Sequence, residues 1–117
     1  YGFAPYWVSA YPYRVDLTRA DTQTIEVTVR NFRDRPQNHR VELKMPPGLK
    51  AEPQVLGGNV AAKSRESYSV TITVEDRAQL PAGVQMVPFD ITLDGKRYGE
   101  LFDFVLLTNH EPSLRRD

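Results

Sequence analysis

Four carboxylates lie close together in the C-terminal third of the sequence, where carboxylate pairs could transfer protons or bind calcium. They are Asp90, Asp94, Glu100 and Asp103. Acid–base catalysis needs two carboxyl groups fixed about one bond, and Ca²⁺ needs several oxygen ligands. The sequence has no D-x-D-x-D-G loop, and strand alternation places these side chains outward around a hairpin. We therefore predict an incidental calcium site at most, and no dedicated metal site.

Other catalytic arrangements are missing from the sequence. There is no cysteine, and the two histidines, His39 and His110, form no H-x-x-x-H or H-x-H ligand pair. No G-x-S-x-G motif is present, and Ser64 and Ser67 lie at an ordinary turn-to-strand transition. A nucleophile needs an oriented base and an oxyanion donor beside it, and nothing here provides them. We predict that the chain is not an enzyme, has no catalytic residue and needs no cofactor.

Four arginines fall within the segment RNFRDRPQNHR, namely Arg30, Arg33, Arg35 and Arg40. Arginine forks bind phosphate, sulfate and carboxylate, so this segment is a candidate anion-binding site. A polyanion site also needs stacking aromatics or a wider basic field, and only Phe32 and His39 are interleaved here. The simpler interpretation is a solvated loop between strands with ion pairs of its own. An anionic ligand is the alternative.

The opening YGFAPYWVSAYPY holds six of the twelve aromatic residues in the chain. Three interpretations are open: packing against this domain and a neighbouring one, a protein interface, or a platform that stacks sugar rings. Pro5 and Pro12 fix an extended path without regular platform spacing, which favours packing. The expected contact anchors are Tyr6, Trp7, Tyr11 and Tyr13, and a sugar platform would use Trp7 with its tyrosine neighbours.

The charge balance limits the classes of partner. Lys and Arg number 15, as do Asp and Glu, so the formal net charge is zero. No overall field draws such a chain to nucleic acid or to an acidic membrane, and no apolar run approaches the ~20 residues that span a bilayer. We predict no nucleic-acid partner and no membrane insertion. At 117 residues the chain is long enough for one domain with its own core.

Alternating apolar and polar residues dominate the segments that must position these side chains. The clearest are TQTIEVTVRNF, NHRVELKM and ESYSVTITVED. A period of two, rich in β-branched residues, predicts half-buried strands. No helical stripe of useful length is present, although EDRAQLPAG could hold one turn. The pattern predicts an all-β fold, an immunoglobulin- or fibronectin-like antiparallel β-sandwich of about seven strands.

Glycine and proline divide these strands. Asp94-Gly95 predicts a type I′ hairpin, because both residues tolerate a positive φ. Further turns are expected at Pro46–Gly48, Gly57-Gly58 and Pro81–Gly83. The last strand is ambiguous because both of its faces are apolar. Either Gly99 introduces a bulge that switches the register, or the outer face is covered, with the aromatic opening as the expected cover.

The chain divides into three parts on this interpretation. Residues 1–19 are the aromatic segment, expected to be an interdomain seam or the first strand, and residues 20–108 are the sandwich. Residues 109–117 lack apolar periodicity and are expected to form a flexible tail. A chain that begins at Tyr1 rather than Met is interpreted as an excised domain.

The middle of the chain resembles the bacterial Ig-like accessory domains of the NEW3 type and related adhesion-associated modules. The shared features are the strand ending in PPGLKAEP, the later strand ESYSVTITVED and the closing hairpin LPAGVQMVPFDITLDGKRYGE, over about residues 20 to 107. Such domains accompany exported hydrolases, including glycosidases and enzymes of the metallo-β-lactamase type. The family supplies no functional residue that matches a position here.

The resemblance implies a non-catalytic accessory domain of a larger exported bacterial hydrolase. It places the chain outside the cytoplasm, exported or periplasmic, with a neighbouring domain of the parent protein as its partner. The alternatives are a carbohydrate- or surface-binding module that uses the opening aromatics, with polysaccharide as the ligand, and an adhesion-type module that binds another protein.

Overall fold

The computed structural model describes residues 7–81 and 83–108. Over these ranges the chain forms nine strands and one 3₁₀ turn at Arg77–Gln79. The strands are β1 (Val8–Tyr11), β2 (Arg14–Asp16), β3 (Thr22–Arg30), β4 (Gln37–Leu43), β5 (Leu49–Glu52), β6 (Val55–Val60), β7 (Arg65–Val74), β8 (Val84–Leu93) and β9 (Lys96–Leu107). No helix within the described ranges is long and apolar enough to cross a membrane.

The strands form a four-stranded sheet, in the order β1-β3-β7-β5, and a five-stranded sheet, in the order β2-β9-β8-β4-β6. The predicted all-β sandwich is therefore confirmed, with nine strands in the described ranges rather than about seven. One pairing differs from the antiparallel prediction, because β2 runs parallel to β9. The chain leaves β1 in one sheet, crosses at Pro12 and enters β2 in the other sheet without reversing direction.

The core lies between the two sheets and follows the predicted alternation. Ile25, Val27 and Val29 of β3 are buried, and the polar residues between them face outward. Val15 and Leu17 belong to the same core cluster, so the segment before β3 shares the hydrophobic core of the sandwich. Such shared burial of branched side chains is what holds two sheets together.

The predicted turns have mixed outcomes. Asp94 and Gly95 have φ of 51° and 82°, so the type I′ hairpin between β8 and β9 is confirmed, and Gly48 (φ 84°) lies in the expected turn before β5. The predicted turn at Gly57-Gly58 is wrong, since both residues lie inside β6. The glycine at 58 answers a crowding requirement instead, because a Cβ there would lie 2.7 Å from the Tyr68 hydroxyl. Of the turn predicted at Pro81–Gly83, Ala82 lies outside the described residues.

The ambiguity of the last strand is resolved by bulges. The β8–β9 register shifts between Phe89 and Asp90 and again between Ile91 and Thr92, and Gly99 has a φ of 86°, so the predicted bulge is confirmed. The side chains that face the core are Phe102, Phe104 and Leu106. The outward side chains are Leu101, Val105 and Leu107. Leu101 is 49% exposed, whereas Val105 is 8% exposed, so this face is open at Leu101 and covered at Val105.

Candidate interaction surface

The outer face of the five-stranded sheet carries an apolar patch on β8 and β9. We define the apolar patch as Val84, Met86, Leu101, Val105 and Leu107. Met86 lies opposite Val105, and Val84 lies opposite Leu107, so the side chains form two adjoining cross-strand pairs. Val84 is 51% exposed and Met86 is 61% exposed, whereas Val105 opposite Met86 is only 8% exposed. Clustered exposed apolar side chains of this kind mark interaction sites on soluble proteins.

Tyr13 forms the rim of the apolar patch next to β2. Its hydroxyl donates to Oδ1 of Asp103 over 2.9 Å, and its carbonyl accepts from the Val105 N–H over 2.8 Å. The ring remains 51% exposed. Both the side chain and the backbone of this exposed tyrosine are therefore fixed by hydrogen bonds. Such a tyrosine is a typical interface anchor, because it loses little conformational entropy on binding.

The other half of the same face is charged. Asp90 accepts hydrogen bonds from two nitrogens of Arg97; the shortest are 3.0 Å from Nε to Oδ1 and 2.8 Å from Nη2 to Oδ2. The bonds from Arg97 hold the pKa of Asp90 below its ordinary value. Arg40 lies 3.6 Å from Glu42 on the neighbouring strand β4. The outer face therefore divides into an apolar half and an ion-paired half.

The three predicted aromatic anchors that the structure describes, Trp7, Tyr11 and Tyr13, do not form one platform. Trp7 packs edge-on against Tyr98 and Phe102, with ring centroids 5.1 and 6.4 Å away, and is partly buried against the core. Tyr11 is 77% exposed and lies on β1 of the four-stranded sheet, whereas Tyr13 bonds to β9 of the five-stranded sheet. Tyr6 lies outside the described residues.

A cleft of about 400 Å³ lies where β1 and β9 face each other at one side of the sandwich. We call it the edge cleft. Its lining residues are Val8, Ser9, Ala10, Tyr13, Leu101, Phe102 and Asp103. Leu101 belongs both to the edge cleft and to the apolar patch, so the two features are continuous. Their combined surface has apolar walls and a few polar groups, as protein-binding clefts do.

The four arginines of the candidate anion site are dispersed. Arg33 forms an ion pair with Asp94 at the tip of the β8–β9 hairpin, and Arg30 donates to the hydroxyl of Ser9 over 3.2 Å. Arg40 lies on the ion-paired half of the outer face with Glu42. The backbone carbonyl of Arg35 accepts a bond from the Asn31 amide. The ion pairs of Arg33 and Arg40 are therefore made with Asp94 and Glu42, outside the loop. The charges of Arg33 and Arg35 both act on Asp94, whereas Arg30 and Arg40 have other partners.

Asn31 is a structural residue that the sequence did not single out. It is 2% exposed, and its Nδ2 lies 2.7 Å from the carbonyl of Arg35 and 3.1 Å from that of Val60. Its Oδ1 accepts from the Arg33 N–H over 2.9 Å. A buried side chain that satisfies several backbone groups fixes a loop strongly. A lone Asn in a polar loop gives no sequence signal for this role.

Three of the four candidate carboxylates have hydrogen-bond partners of their own, and the fourth, Glu100, lies opposite Asp90 in the β8–β9 register. Asp90 bonds to Arg97, Asp103 accepts from Tyr13, and Asp94 accepts from the backbone N–H of Asn38 over 2.9 Å. Within residues 7–81 and 83–108, no group of three or more His, Cys, Asp or Glu side chains could hold a metal ion.

Comparison with solved structures identifies the type of fold. WR4, a member of the C. elegans MSP family, superposes with a TM-score of 0.52 at 12% identity, over 89% of this chain and 98% of that one. The YadV chaperone superposes with a TM-score of 0.53 at 12% identity, over 86% of this chain and 50% of that one. The fold is therefore an immunoglobulin-like sandwich.

A third structure, the CupB2 chaperone of Pseudomonas aeruginosa, has a TM-score of 0.49 at 18% identity, over 83% of this chain and 52% of that one. The chain therefore spans about half the length of each chaperone. No protein-family model matches the chain, and no curated protein matches it. At these identities the likeness concerns the fold, and function has to be argued from the surface.

Proposed function

We propose that the chain is a non-catalytic accessory domain that packs, through the apolar patch, against a neighbouring domain of a larger exported hydrolase. The observation that carries this proposal is the exposure of Val84, Met86 and Leu101 on the same face of the five-stranded sheet, at 51%, 61% and 49%. A neighbouring protein domain would remove this area from water, at about 25 cal/mol per Å² of apolar surface. The exported hydrolase as parent protein rests on the sequence resemblance to NEW3-type domains.

The contacts of the candidate carboxylates support a non-catalytic role. Three of the four candidate carboxylates, Asp90, Asp94 and Asp103, are engaged with Arg97, Arg33 and Tyr13. A general base must reach a substrate proton directly or through one water. Carboxylates that are already held in ion pairs or hydrogen bonds along a hairpin are poorly placed to accept such a proton. The role is then mechanical: the domain braces the catalytic domain or covers an apolar surface on it.

The test compares Met86→Glu with Val55→Glu in the full-length parent protein and in the 117-residue chain. Val55 is a matched control, because it is also an exposed apolar residue of the five-stranded sheet, 40% exposed on β6 and remote from the patch in strand order. In the parent, Met86→Glu should destabilise the packed arrangement by about 1.5–3 kcal/mol, the value of burying a large apolar side chain. In the isolated chain, both variants should unfold at the wild-type midpoint.

Equal effects of the two variants in the parent protein would overturn the proposal, as would a parent with no folded domain beside this one. Concentration-dependent dimers of the isolated chain, broken by Met86→Glu in light scattering, would instead support the adhesion-type alternative. Differential scanning calorimetry of the parent and limited proteolysis of the junction between domains provide the two readouts.

A further inference from the structure

Three cationic side chains surround a pocket at one end of the four-stranded sheet. The pocket has a volume of about 310 Å³ and is lined by residues 30–32, where β3 ends, and by residues 63–65, where β7 begins. We call it the basic pocket. Arg30, Lys63 and Arg65 line it, and no carboxylate of the described residues does. The fold therefore brings together cations from two segments that are far apart along the chain.

Arg30 and Arg65 lie directly opposite each other in the β3–β7 register. Val29, one residue before Arg30, is buried in the core, so Arg30 and its cross-strand partner both point to the outer face of the sheet. Like charges in such a pair destabilise the two strands. Within the described ranges neither guanidinium has a carboxylate partner, whereas Arg33 and Arg97 form ion pairs. An anion bound between Arg30 and Arg65 would offset their repulsion.

Hydrogen bonds hold the backbone and one of the arginines of the basic pocket in place. The Asn31 N–H donates to the carbonyl of Ser64 over 2.9 Å, so the pairing of the two segments continues beyond the arginines. The side chain of Asn31 is buried and bonded to backbone carbonyls. Nη1 of Arg30 donates to the hydroxyl of Ser9 over 3.2 Å, which orients the guanidinium and uses one of its five N–H donors. A site that is fixed in this way loses little entropy when it binds a ligand.

Lys63 adds a third cation from the turn before β7. Its φ of 58° is a left-handed conformation that residues other than glycine adopt infrequently. Its Nζ donates to the carbonyl of Phe32 over 3.1 Å and lies 3.4 Å from the carboxylate of Asp34, whose side chain is 92% exposed. Ion pairs this exposed are weak, so Asp34 offsets only part of the positive charge contributed by the three cations.

The basic pocket also has an apolar wall. Phe32 lines it and is 43% exposed, so an aromatic surface lies beside the cations. Arginine and lysine side chains offer N–H donors and no acceptors, and a ligand must therefore supply oxygen acceptors and negative charge. An exposed aromatic ring offers a contact surface to another flat ring. The two features together favour an oxyanion that is joined to a ring over a free inorganic ion.

We propose that the basic pocket binds an oxyanion, a carboxylate, sulfate or phosphate group, on a ligand that also carries a flat ring. Arg30 and Arg65 donate to the oxyanion through their guanidinium N–H groups, Lys63 adds positive charge, and the ring of the ligand lies on Phe32. This inference goes beyond the proposed function and does not depend on it. The basic pocket belongs to the four-stranded sheet, whereas the apolar patch belongs to the five-stranded sheet.

The test is an NMR titration of the 117-residue chain that follows the arginine Nε–H signals at constant ionic strength. The ligands are benzoate, phenyl sulfate and phenyl phosphate, and benzamide is the neutral control with the shape of benzoate. We expect saturable shifts of the Arg30 and Arg65 signals with the oxyanions and none with benzamide, and the tightest of the three ligands identifies the oxyanion. Inorganic phosphate should bind more weakly than phenyl phosphate, because it has no ring to contact Phe32; equal binding of the two would contradict the role of Phe32.

Two variants separate the basic pocket from a general effect of charge. Arg65→Gln and Arg19→Gln each remove one positive charge from an exposed arginine, but Arg19 precedes β3, whereas Arg65 lies opposite its last residue. Arg65→Gln should weaken binding about tenfold or more, as the loss of a hydrogen bond between charged groups does, and Arg19→Gln should leave it unchanged. Without ligand at low salt, Arg65→Gln should be at least as stable as the wild type in urea unfolding, because it removes a like-charge pair.

The inference is wrong if the oxyanions leave the Arg30 and Arg65 signals unshifted or if benzamide shifts them as benzoate does. Equal affinity of the wild type, Arg19→Gln and Arg65→Gln would also overturn it. The wild-type titration decides the question even if a variant fails to fold. Met86→Glu should bind the oxyanions as the wild type does, so the basic pocket and the apolar patch can fail separately.

Discussion

The Tyr68 hydroxyl lies 2.9 Å from Nε2 of His39, and this contact joins the two sheets. His39 belongs to β4 and Tyr68 to β7, and their rings meet edge-on with centroids 5.6 Å apart. His39 is 5% exposed, and its Nδ1 has no hydrogen-bond partner among the described residues. Burial lowers the pKa of His39, while the nearby charge of Glu66 acts in the opposite direction. The folded chain therefore favours the neutral imidazole.

The stability of the chain should depend on pH through His39. Because its folded pKa lies below the ordinary value of 6.5, the unfolded chain takes up the proton first as the pH falls. The contribution of His39 to the free energy of unfolding should have its full value above pH 6.5. It should fall as the pH drops toward the folded pKa and level off below it. Urea unfolding at pH values from 8 to 5 measures this. His39→Gln should flatten this pH profile relative to the wild type, and His110 is present in both proteins. Identical slopes in the wild type and in His39→Gln would contradict the prediction.

Gly58→Ala should destabilise the chain by about 1–3 kcal/mol, the usual cost of overpacking. The added Cβ would lie 2.7 Å from the Tyr68 hydroxyl and 3.3 Å from Cε1 of His39. Gly57→Ala is the matched control, because its nearest neighbour would be 3.8 Å away, and it should change stability by about 0.5 kcal/mol or less.

A double-mutant cycle identifies the crowding atom. Tyr68→Phe removes the hydroxyl, so Gly58→Ala should cost less in that background than in the wild type. Thermal and urea unfolding give the four free energies. Equal costs of Gly58→Ala in both backgrounds would place the clash elsewhere, and an equal cost of the Gly57 and Gly58 variants would show a general requirement for glycine in β6.

The strands and the last hairpin could be predicted because their signals are local. Ile25, Val27 and Val29 show their buried face by alternation alone, and Asp94-Gly95 specifies its turn by backbone chemistry. Gly57-Gly58 misled the prediction because glycine has two uses. It permits turns, and it also makes room for a neighbour, here Tyr68 from the other sheet, which the local sequence does not reveal.

The candidate interaction surface could not be predicted from the sequence because it depends on register between strands. Val84 and Met86 alternate with buried residues like any outward pair, and they become a patch only because Val105 and Leu107 lie opposite them. The number of aromatic residues in the opening segment suggested one contact site. The chain instead crosses between the sheets at Pro12, so Tyr11 and Tyr13 lie beside different sheets.

Asn31→Ala should destabilise the chain by about 1–3 kcal/mol, because it leaves buried backbone groups without partners. The affected groups include the carbonyls of Arg35 and Val60 and the N–H of Arg33. Asn59→Ala is the control, since that amide is exposed and bonds to another side chain, that of Asn38, and its effect should stay within about 0.5 kcal/mol. Urea unfolding compares the two variants, and similar losses would contradict the role given to Asn31.

Acid should weaken the interactions of Asp94 that connect the β8–β9 hairpin to the arginine-containing loop. The backbone bond from Asn38 and the charge of Arg33 hold the pKa of Asp94 below its ordinary 3.8. Stability from this carboxylate is therefore present above pH 3.8 and lost as the pH falls through the lower folded pKa. Thermal midpoints between pH 5 and pH 2.5 should fall less steeply in Asp94→Asn, which tolerates the positive φ and carries no titrating group. A parallel fall in both proteins would exclude Asp94 as a source of the acid sensitivity.

Trp7 is the only tryptophan in the chain, so its fluorescence reports directly on the aromatic opening. Its edge-on contact with Tyr98, at 5.1 Å between centroids, should keep its emission blue-shifted in the folded state. Tyr98→Ala removes that contact, worth about 0.5–1.5 kcal/mol, and should shift the emission to the red. Tyr11→Ala should leave it unchanged, because Tyr11 projects from β1 into solvent.

The same fluorescence separates packing from sugar binding. A ring engaged with Tyr98 and Phe102 is not free to stack on a pyranose, so added cellohexaose should change neither the intensity nor the wavelength of Trp7 emission. Saturable quenching by the oligosaccharide, lost in Trp7→Phe as measured by calorimetric titration, would reverse the assignment and make the opening segment a carbohydrate platform. Unchanged emission together with a red shift in Tyr98→Ala would establish Trp7 as part of the packing between β1 and β9, on the wall of the sandwich where the edge cleft opens.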